Sequence, residues 1–166
     1  SRFVPDGSVD LVDASAIAVA LAAETLTANT ITNARVLPDP AALEGEYDAA
    51  VIVIPAGRKF ARRWLAQAYA ALRPGGHLYL AGPKDEGIEA LVRDAKELCG
   101  QGSTLAFRDH NRAGVATKGA NVGTLPAWAA EPGIAPGTWH HFSIVTAGRS
   151  FEIDSLPGVF SFDRLD

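Results

Sequence analysis

The chain has 166 residues, of which 48% are apolar and 20% charged, with 16 Gly and 10 Pro. That composition excludes a disordered or collagen-like chain, and the length suits one domain that buries roughly two-thirds of its unfolded surface. The balance of 15 Lys+Arg against 19 Asp+Glu is mildly acidic, and no run reaches the ~18 uninterrupted apolar residues of a membrane span. Val9-Asp10-Leu11-Val12-Asp13 reads as a short strand ending in an acid. Ser15 then caps a helix over residues 16–28, rich in Ala and Leu. Ala34-Arg35-Val36-Leu37 is a second short strand, stopped by Pro38-Asp39-Pro40. A weak helical turn over 41–44 leads through Gly45 to Tyr47-Asp48. The nearly continuous apolar run 49–54 suits a strand covered on both faces, as in a parallel sheet, and Pro55-Ala56-Gly57 breaks it.

Phe60, Trp64, Ala68 and Leu72 recur at helical spacing, which predicts an amphipathic helix over 58–72, ended by Arg73-Pro74-Gly75-Gly76. His77-Leu78-Tyr79-Leu80-Ala81 is the next strand. A helix over 84–98 places Ile88, Leu91, Val92 and Ala95 on one face. Residues 104–107 and 113–117 read as two late strands around a polar connection, 108–112. The Gly/Pro/Ala-rich stretch 118–136 reads as a loop, and 141–146 with 150–153 as a hairpin through Ala147-Gly148-Arg149.

This alternation predicts an α/β domain with a mainly parallel sheet, an antiparallel late strand and flanking helices. Ligands of such sheets bind beyond the carboxyl ends of the strands. The candidate positions are therefore Asp13, Asp39, residues 55–57 and residues 82–84.

Charge is unevenly spread. Arg58, Lys59, Arg62, Arg63 and Arg73 fall between Gly57 and Arg73 with no acid among them. Cations in the first turns of a helix oppose its dipole, and the i,i+4 pairs Arg58/Arg62 and Lys59/Arg63 repel each other mildly. Two explanations remain open: a phosphate-binding face for a polyanion, or a solvated or acid-paired helix face.

The single Cys99 excludes an internal disulfide and a multi-cysteine zinc site, so a reducing, cytoplasmic setting is expected. The start Ser1-Arg2-Phe3-Val4-Pro5 has no apolar signal segment. The absence of any methionine makes the sequence read as a piece of something longer.

Several of these features together resemble the class I S-adenosylmethionine-dependent methyltransferases, which have a Rossmann-like fold. They are the acid ending the strand at Asp13, Pro38-Asp39 after the next strand, Tyr47-Asp48 opening an apolar strand, the Leu72-Arg73-Pro74-Gly75-Gly76 corner, and the two late strands. A narrower likeness lies in Leu156-Pro157-Gly158-Val159-Phe160-Ser161 with Leu165-Asp166. It is similar to the segment that joins two fused methyltransferase-like domains in the small-subunit ribosomal RNA guanine-N2 methyltransferases of the "methyltransferase small" group. The resemblance implies that residues 1–155 are the degenerate N-terminal domain and 156–166 the junction to a catalytic C-terminal domain. It implies S-adenosylmethionine as the cofactor of the whole enzyme. Ribosomal RNA and the C-terminal domain of the same polypeptide are its implied partners, with neither membrane nor metal. It also implies a central first strand, between the strands ending at Asp13 and Ile54, that nothing before Val9 supplies.

Methyl transfer to an exocyclic amine needs a glycine-rich turn near the cofactor, an acid for the ribose hydroxyls, and an amide or carboxylate acceptor with an aromatic platform for the base. Asp13, and Asp39 near the adenine, are the candidate cofactor contacts. The glycine-rich turn is missing, and Ile54-Pro55-Ala56-Gly57 has neither acceptor nor platform. Each unpaired amine donor there costs about 1–3 kcal/mol. No catalytic residue is therefore expected, and Arg58, Lys59, Arg62 and Arg63 are the candidate RNA contacts. Asp13 and Asp39 equally suit a helix cap and a turn. An active small-molecule methyltransferase and a purely structural module remain as alternatives. The latter predicts an apolar docking patch at Phe160 and Phe162.

The other reactive side chains read as structural. His140 and His141 point to opposite faces of a strand and make no metal pair. His77 follows Gly-Gly into a strand, His110 sits in a polar turn, and Cys99 has no base beside it. Trp128 and Trp139 flank the long loop, which they pack down or present to the second domain.

Overall fold

The computed structural model describes residues 7–120 and 123–159, which fall into two compact units, Ser1–Gly45 and Glu46–Asp166. In the first, β1 (Val9–Val12) pairs in parallel with β2 (Ala34–Leu37), Val9 opposite Ala34 and Val12 opposite Leu37. Parallel neighbours need a crossover, and α1 (Ala16–Ala28) provides it. Ser15 Oγ accepts from the Ala18 N–H, and Asn29 closes the last turn with both its backbone and side-chain N–H on Thr25 O. Arg35 clasps Asp10 across the strand pair with bonds of 2.7 and 2.9 Å. α1 is rich in Ala and Leu and buries none of its residues.

The second unit is built on a four-stranded sheet in the order β3-β4-β6-β5. Its strands are β3 (Tyr47–Val53), β4 (Leu72–Pro83), β5 (Gly102–Arg108) and β6 (Asn111–Thr117). β3 and β4 run parallel, while β6 is antiparallel to both β4 and β5. α2 (Arg58–Ala71) and α3 (Ile88–Cys99) share one core with the sheet, where Leu65, Ile88 and Leu91 meet Ile52, Leu78, Leu80 and Ala116. Side chains alternate across a strand, so this core covers one face only. Val51 and Val53 are 72% and 70% exposed while Ile52 is buried. The apolar run of β3 is therefore covered on one side, not two, because both helices lie against the face that carries Ile52.

The Pro-Gly-Gly corner also differs from expectation. α2 ends at Ala71, and Leu72 already pairs with Tyr47 as a strand residue. His77 then pairs with Ala49, so residues 73–76 bulge out opposite Asp48 alone. Glycine is needed at 76 because a Cβ would lie 2.9 Å from the Arg73 carbonyl and 3.1 Å from that of Tyr47. α3 starts four residues later than its sequence pattern suggests: Gly87, at φ +89°, closes a turn onto the Lys84 carbonyl first.

The 108–112 connection contracts to a two-residue turn, Asp109-His110, with both residues at positive φ, the hairpin geometry that matches strand twist. The long loop contains a 3-10 turn, Ala127–Ala130, which buries Trp128 near Ile134 in the core. β7 (His140–Thr146) and β8 (Arg149–Ser155) form a separate antiparallel hairpin turned by Ala147 and Gly148. Among the described residues β1 pairs only with β2, and β3 only with β4, so none supplies the central strand. Phe160, Ser161, Phe162, Leu165 and Asp166 lie outside the described residues.

Candidate functional site

In the first unit both candidate acids serve their own backbone. Asp13 Oδ1 accepts from the Ser15 N–H at 2.8 Å, at the entry to α1. Asp39 Oδ1 accepts from the Ala41 N–H at 2.7 Å and caps the 3-10 turn Pro40–Ala42. Each arrangement satisfies an N–H that a helix start leaves without an internal partner.

The strand exits of the second unit are lined differently. Beyond β3 and β4 lies an open, largely apolar groove of about 340 Å³, bordered by Val53, Ala81, Pro83, Ala106, Arg108 and Asn111. Asn111 Nδ2 is turned to the Asp109 carbonyl, and Arg108 Nε to the Asp109 carboxylate. Pro55 and Gly57 contribute no side-chain acceptor and no aromatic surface. Among the described residues no group of three His, Cys, Asp or Glu side chains is placed to hold a metal ion.

The basic helix shows how its charge is accommodated. Asp94 on α3 is 2% exposed and receives Arg58 Nη2 at 3.0 and 3.3 Å, Arg62 Nε at 2.8 Å and Arg62 Nη2 at 3.1 Å. The hydrogen bond to Asp94 raises the Arg62 pKa, against partial burial that works the other way. Trp128 lies under the Arg62 guanidinium at 4.8 Å, and its Nε1 donates to Glu97 at 3.1 Å. Arg63 is 3% exposed, whereas Arg58 and Lys59 stand at the exposed start of the helix. Asp94 escaped the sequence reading because its partners lie more than thirty residues away. The available signal was an acid within the apolar stripe Leu91, Ala95 and Leu98.

Lys118 completes the other end of α2. Its Nζ donates to the Tyr69 and Leu72 carbonyls at 2.9 and 2.6 Å and lies 4.7 Å from the Tyr69 ring centre. A cation there satisfies carbonyls that the helix leaves open. Burial pushes the Cys99 thiol up to about 11, with the Lys118 charge working the other way. His77 Nδ1 lies 3.1 Å from Thr117 Oγ1. His141 is held between Asp154 at 2.8 Å and Glu152 at 3.1 Å, and the Asp154 bond raises its pKa. His140 packs on Phe142, on the other face.

The architecture is that of a class I methyltransferase. The chain superposes over 98% of its length on 46% of a T. thermophilus 16S rRNA N2 G1207 methyltransferase solved with AdoMet and guanosine, with a TM-score of 0.69 and 27% identity. A methyltransferase from Pyrococcus furiosus shares the fold over 68% of this chain and 63% of its own, with a TM-score of 0.56 and 19% identity. No family model matches the sequence.

Curated relatives narrow the class. The ribosomal RNA small subunit methyltransferase C of Stutzerimonas stutzeri is 36% identical over 129 residues, 74% of this chain and 34% of the relative. That of Pseudomonas paraeruginosa is 34% identical over 128 residues, 77% of this chain and 36% of the relative. The chain is thus a homologue of the small-subunit rRNA methyltransferase C proteins, and it spans about a third of the length of these relatives.

Proposed function

We propose that this chain is the non-catalytic N-terminal part of an S-adenosylmethionine-dependent methyltransferase that modifies guanine N2 in small-subunit ribosomal RNA. Its role is to support the catalytic part and to help hold the RNA. The observation that carries this reading is the Ile54-Pro55-Ala56-Gly57 strand exit. There a methyltransferase fold presents no side chain able to accept amine protons or to stack a base. The engagement of Asp13 and Asp39 with their own backbone supports the same conclusion for the cofactor.

Titration calorimetry with S-adenosylmethionine tests it. The full-length protein is expected to bind and the 166-residue chain to give no heat of binding. Saturable binding by the chain, or methyl transfer by it to rRNA, overturns the reading.

RNA contact is assigned to the exposed start of α2, Arg58 and Lys59, while Arg62 is tied to Asp94 and Arg63 is buried. The contacts are to phosphate and carry no base readout. Charge reversal at Arg58 and Lys59 in the full-length protein should weaken rRNA binding uniformly and flatten its salt dependence, by roughly one unit of log–log slope per lost phosphate contact. A purely structural role is favoured by one observation, the convergence of Arg58 and Arg62 on Asp94. Unchanged affinity and salt slope in the reversed variant would establish that role instead.

A further inference from the structure

Arg58 and Arg62 stand one turn apart on α2 and converge on the buried carboxylate of Asp94, but they hold it differently. Arg62 offers its Nε–Nη2 edge, at 2.8 and 3.1 Å, and takes both carboxylate oxygens in bidentate fashion. Its side chain is only 19% exposed, Trp128 lies against its guanidinium, and Glu97 and Glu131 add their fields to that of Asp94. Arg58 reaches the same two oxygens through Nη2 alone, at 3.0 and 3.3 Å, and its side chain is 55% exposed. Among the described residues its Nε and Nη1 make no hydrogen bond.

Charge and packing separate the two arginines further. One carboxylate against two guanidinium groups leaves one positive charge over. Arg62 is the one closed in by acids and an aromatic ring, so the surplus lies on Arg58. Arg62 also ties α2 to α3 by itself, which leaves the second arginine without a packing role. A guanidinium on an unrestrained stem has to be ordered when it binds, and for one long side chain that weakens binding by about three- to ten-fold. An arginine whose Nη2 is already fixed on a buried acid is ordered before its ligand arrives, and its planar fork still offers donors on the other side.

We propose that Asp94 is a positioning residue for Arg58: it fixes Nη2 so that the Nε and Nη1 donors are held ready for one backbone phosphate of ribosomal RNA. This rests on the reading above that the start of α2 contacts RNA, and it names the device that orients the contact.

The test turns on a sign. Asp94 is itself an anion, 3.0 Å from Arg58 Nη2, so by charge alone Asp94→Asn should tighten RNA binding. Positioning requires the opposite. In the full-length protein, Asp94→Asn is expected to weaken binding of 16S rRNA by about three- to ten-fold, and to cause no such loss in an Arg58→Ala background. Arg58→Lys leaves the Arg62–Asp94 pair in place and keeps the charge, but its single nitrogen has to serve both the acid and the phosphate. It should weaken binding to a similar extent, while the slope of log affinity against log salt stays as in the parent. Equal or tighter binding by a folded Asp94→Asn variant, a loss that persists undiminished in the Arg58→Ala background, or parental affinity in Arg58→Lys overturns the proposal. Circular dichroism establishes that each variant is folded, and if Asp94→Asn is not, Arg58→Lys decides alone. Arg58→Ala separates this proposal from the reading beneath it. Parental affinity in Arg58→Ala removes the RNA contact of Arg58 and the positioning role together, whereas weakened binding there with no loss in Asp94→Asn removes only the positioning role.

Discussion

Arg62 grips Asp94 through two parallel hydrogen bonds, Nε to Oδ2 at 2.8 Å and Nη2 to Oδ1 at 3.1 Å, and Arg58 closes on the same carboxylate from one turn earlier. Two cations thus meet around an acid that is almost fully buried. Two arginines one helical turn apart repel each other in isolation. Here a single carboxylate from α3 offsets the repulsion and ties α2 to α3. Trp128, stacked on Arg62, adds the long loop to the same knot.

Removing that carboxylate is expected to be costly. Breaking a fully buried ion pair costs about 3–5 kcal/mol. Arg58 is half-exposed and can turn to water, so Asp94→Ala should cost about 2–3 kcal/mol. Urea denaturation followed by circular dichroism measures it, and a change below the error of the fit would mean that the cluster contributes nothing to stability.

Close packing at the exit of β4 makes a second prediction. A Cβ at Gly82 would lie 2.2 Å from Ile54 Cγ2. Gly82→Ala should therefore destabilise by about 1–3 kcal/mol through overpacking. Combined with Ile54→Ala, which removes the clashing methyl, the loss should be smaller than the sum of the two single losses. Strict additivity in the thermal midpoints would contradict the packing seen here.

The β7–β8 hairpin should respond to pH through His141. Its pKa is raised in the folded state, first by the hydrogen bond to Asp154. A raised imidazole pKa stabilises the folded hairpin below the unfolded-state value, and that contribution is lost as pH rises through the folded-state value. NMR titration should place the His141 midpoint above that of an ordinary imidazole, and Asp154→Asn should bring it down. Protection of the β7 and β8 amides should fall over the same rise in pH.

Cys99 should be nearly inert to thiol reagents while the chain is folded. With its pKa near 11, the thiolate at pH 8 is on the order of a hundred-fold scarcer than for a free cysteine, and the side chain is buried. Labelling with a chromogenic disulfide should be slow in buffer and complete within the mixing time of denaturant. Rapid labelling in buffer would place Cys99 outside the core.

Much of the fold was legible because its signals are local. Ser15, the Ala/Leu-rich stretch and Asn29 mark α1 at Ala16–Ala28, and helical spacing from Phe60 to Leu72 marks α2. Where sequence reading erred, the cause was distant. The 49–54 run looks covered on both faces because periodicity reports apolarity and not which neighbours arrive. Residues 73–76 look like a helix stop because Pro and Gly serve a bulge as readily as a turn. The candidate site divides in the same way. Cys99 and the two strand-exit acids were open to assignment from their immediate neighbours.

The sequence by itself determined the class of the protein. Turn chemistry, apolar periodicity and the order of strands and helices are written within a few residues of where they act; they suffice for an α/β fold, to which the resemblance of motifs such as Leu72-Arg73-Pro74-Gly75-Gly76 adds the methyltransferase class. Only the tertiary structure decided what the charges and exposed faces do. It brought Asp94 under Arg58 and Arg62 and turned both helices to one side of the sheet. Such pairings depend on side chains far apart in the chain, whose meeting is settled by the packing of the whole.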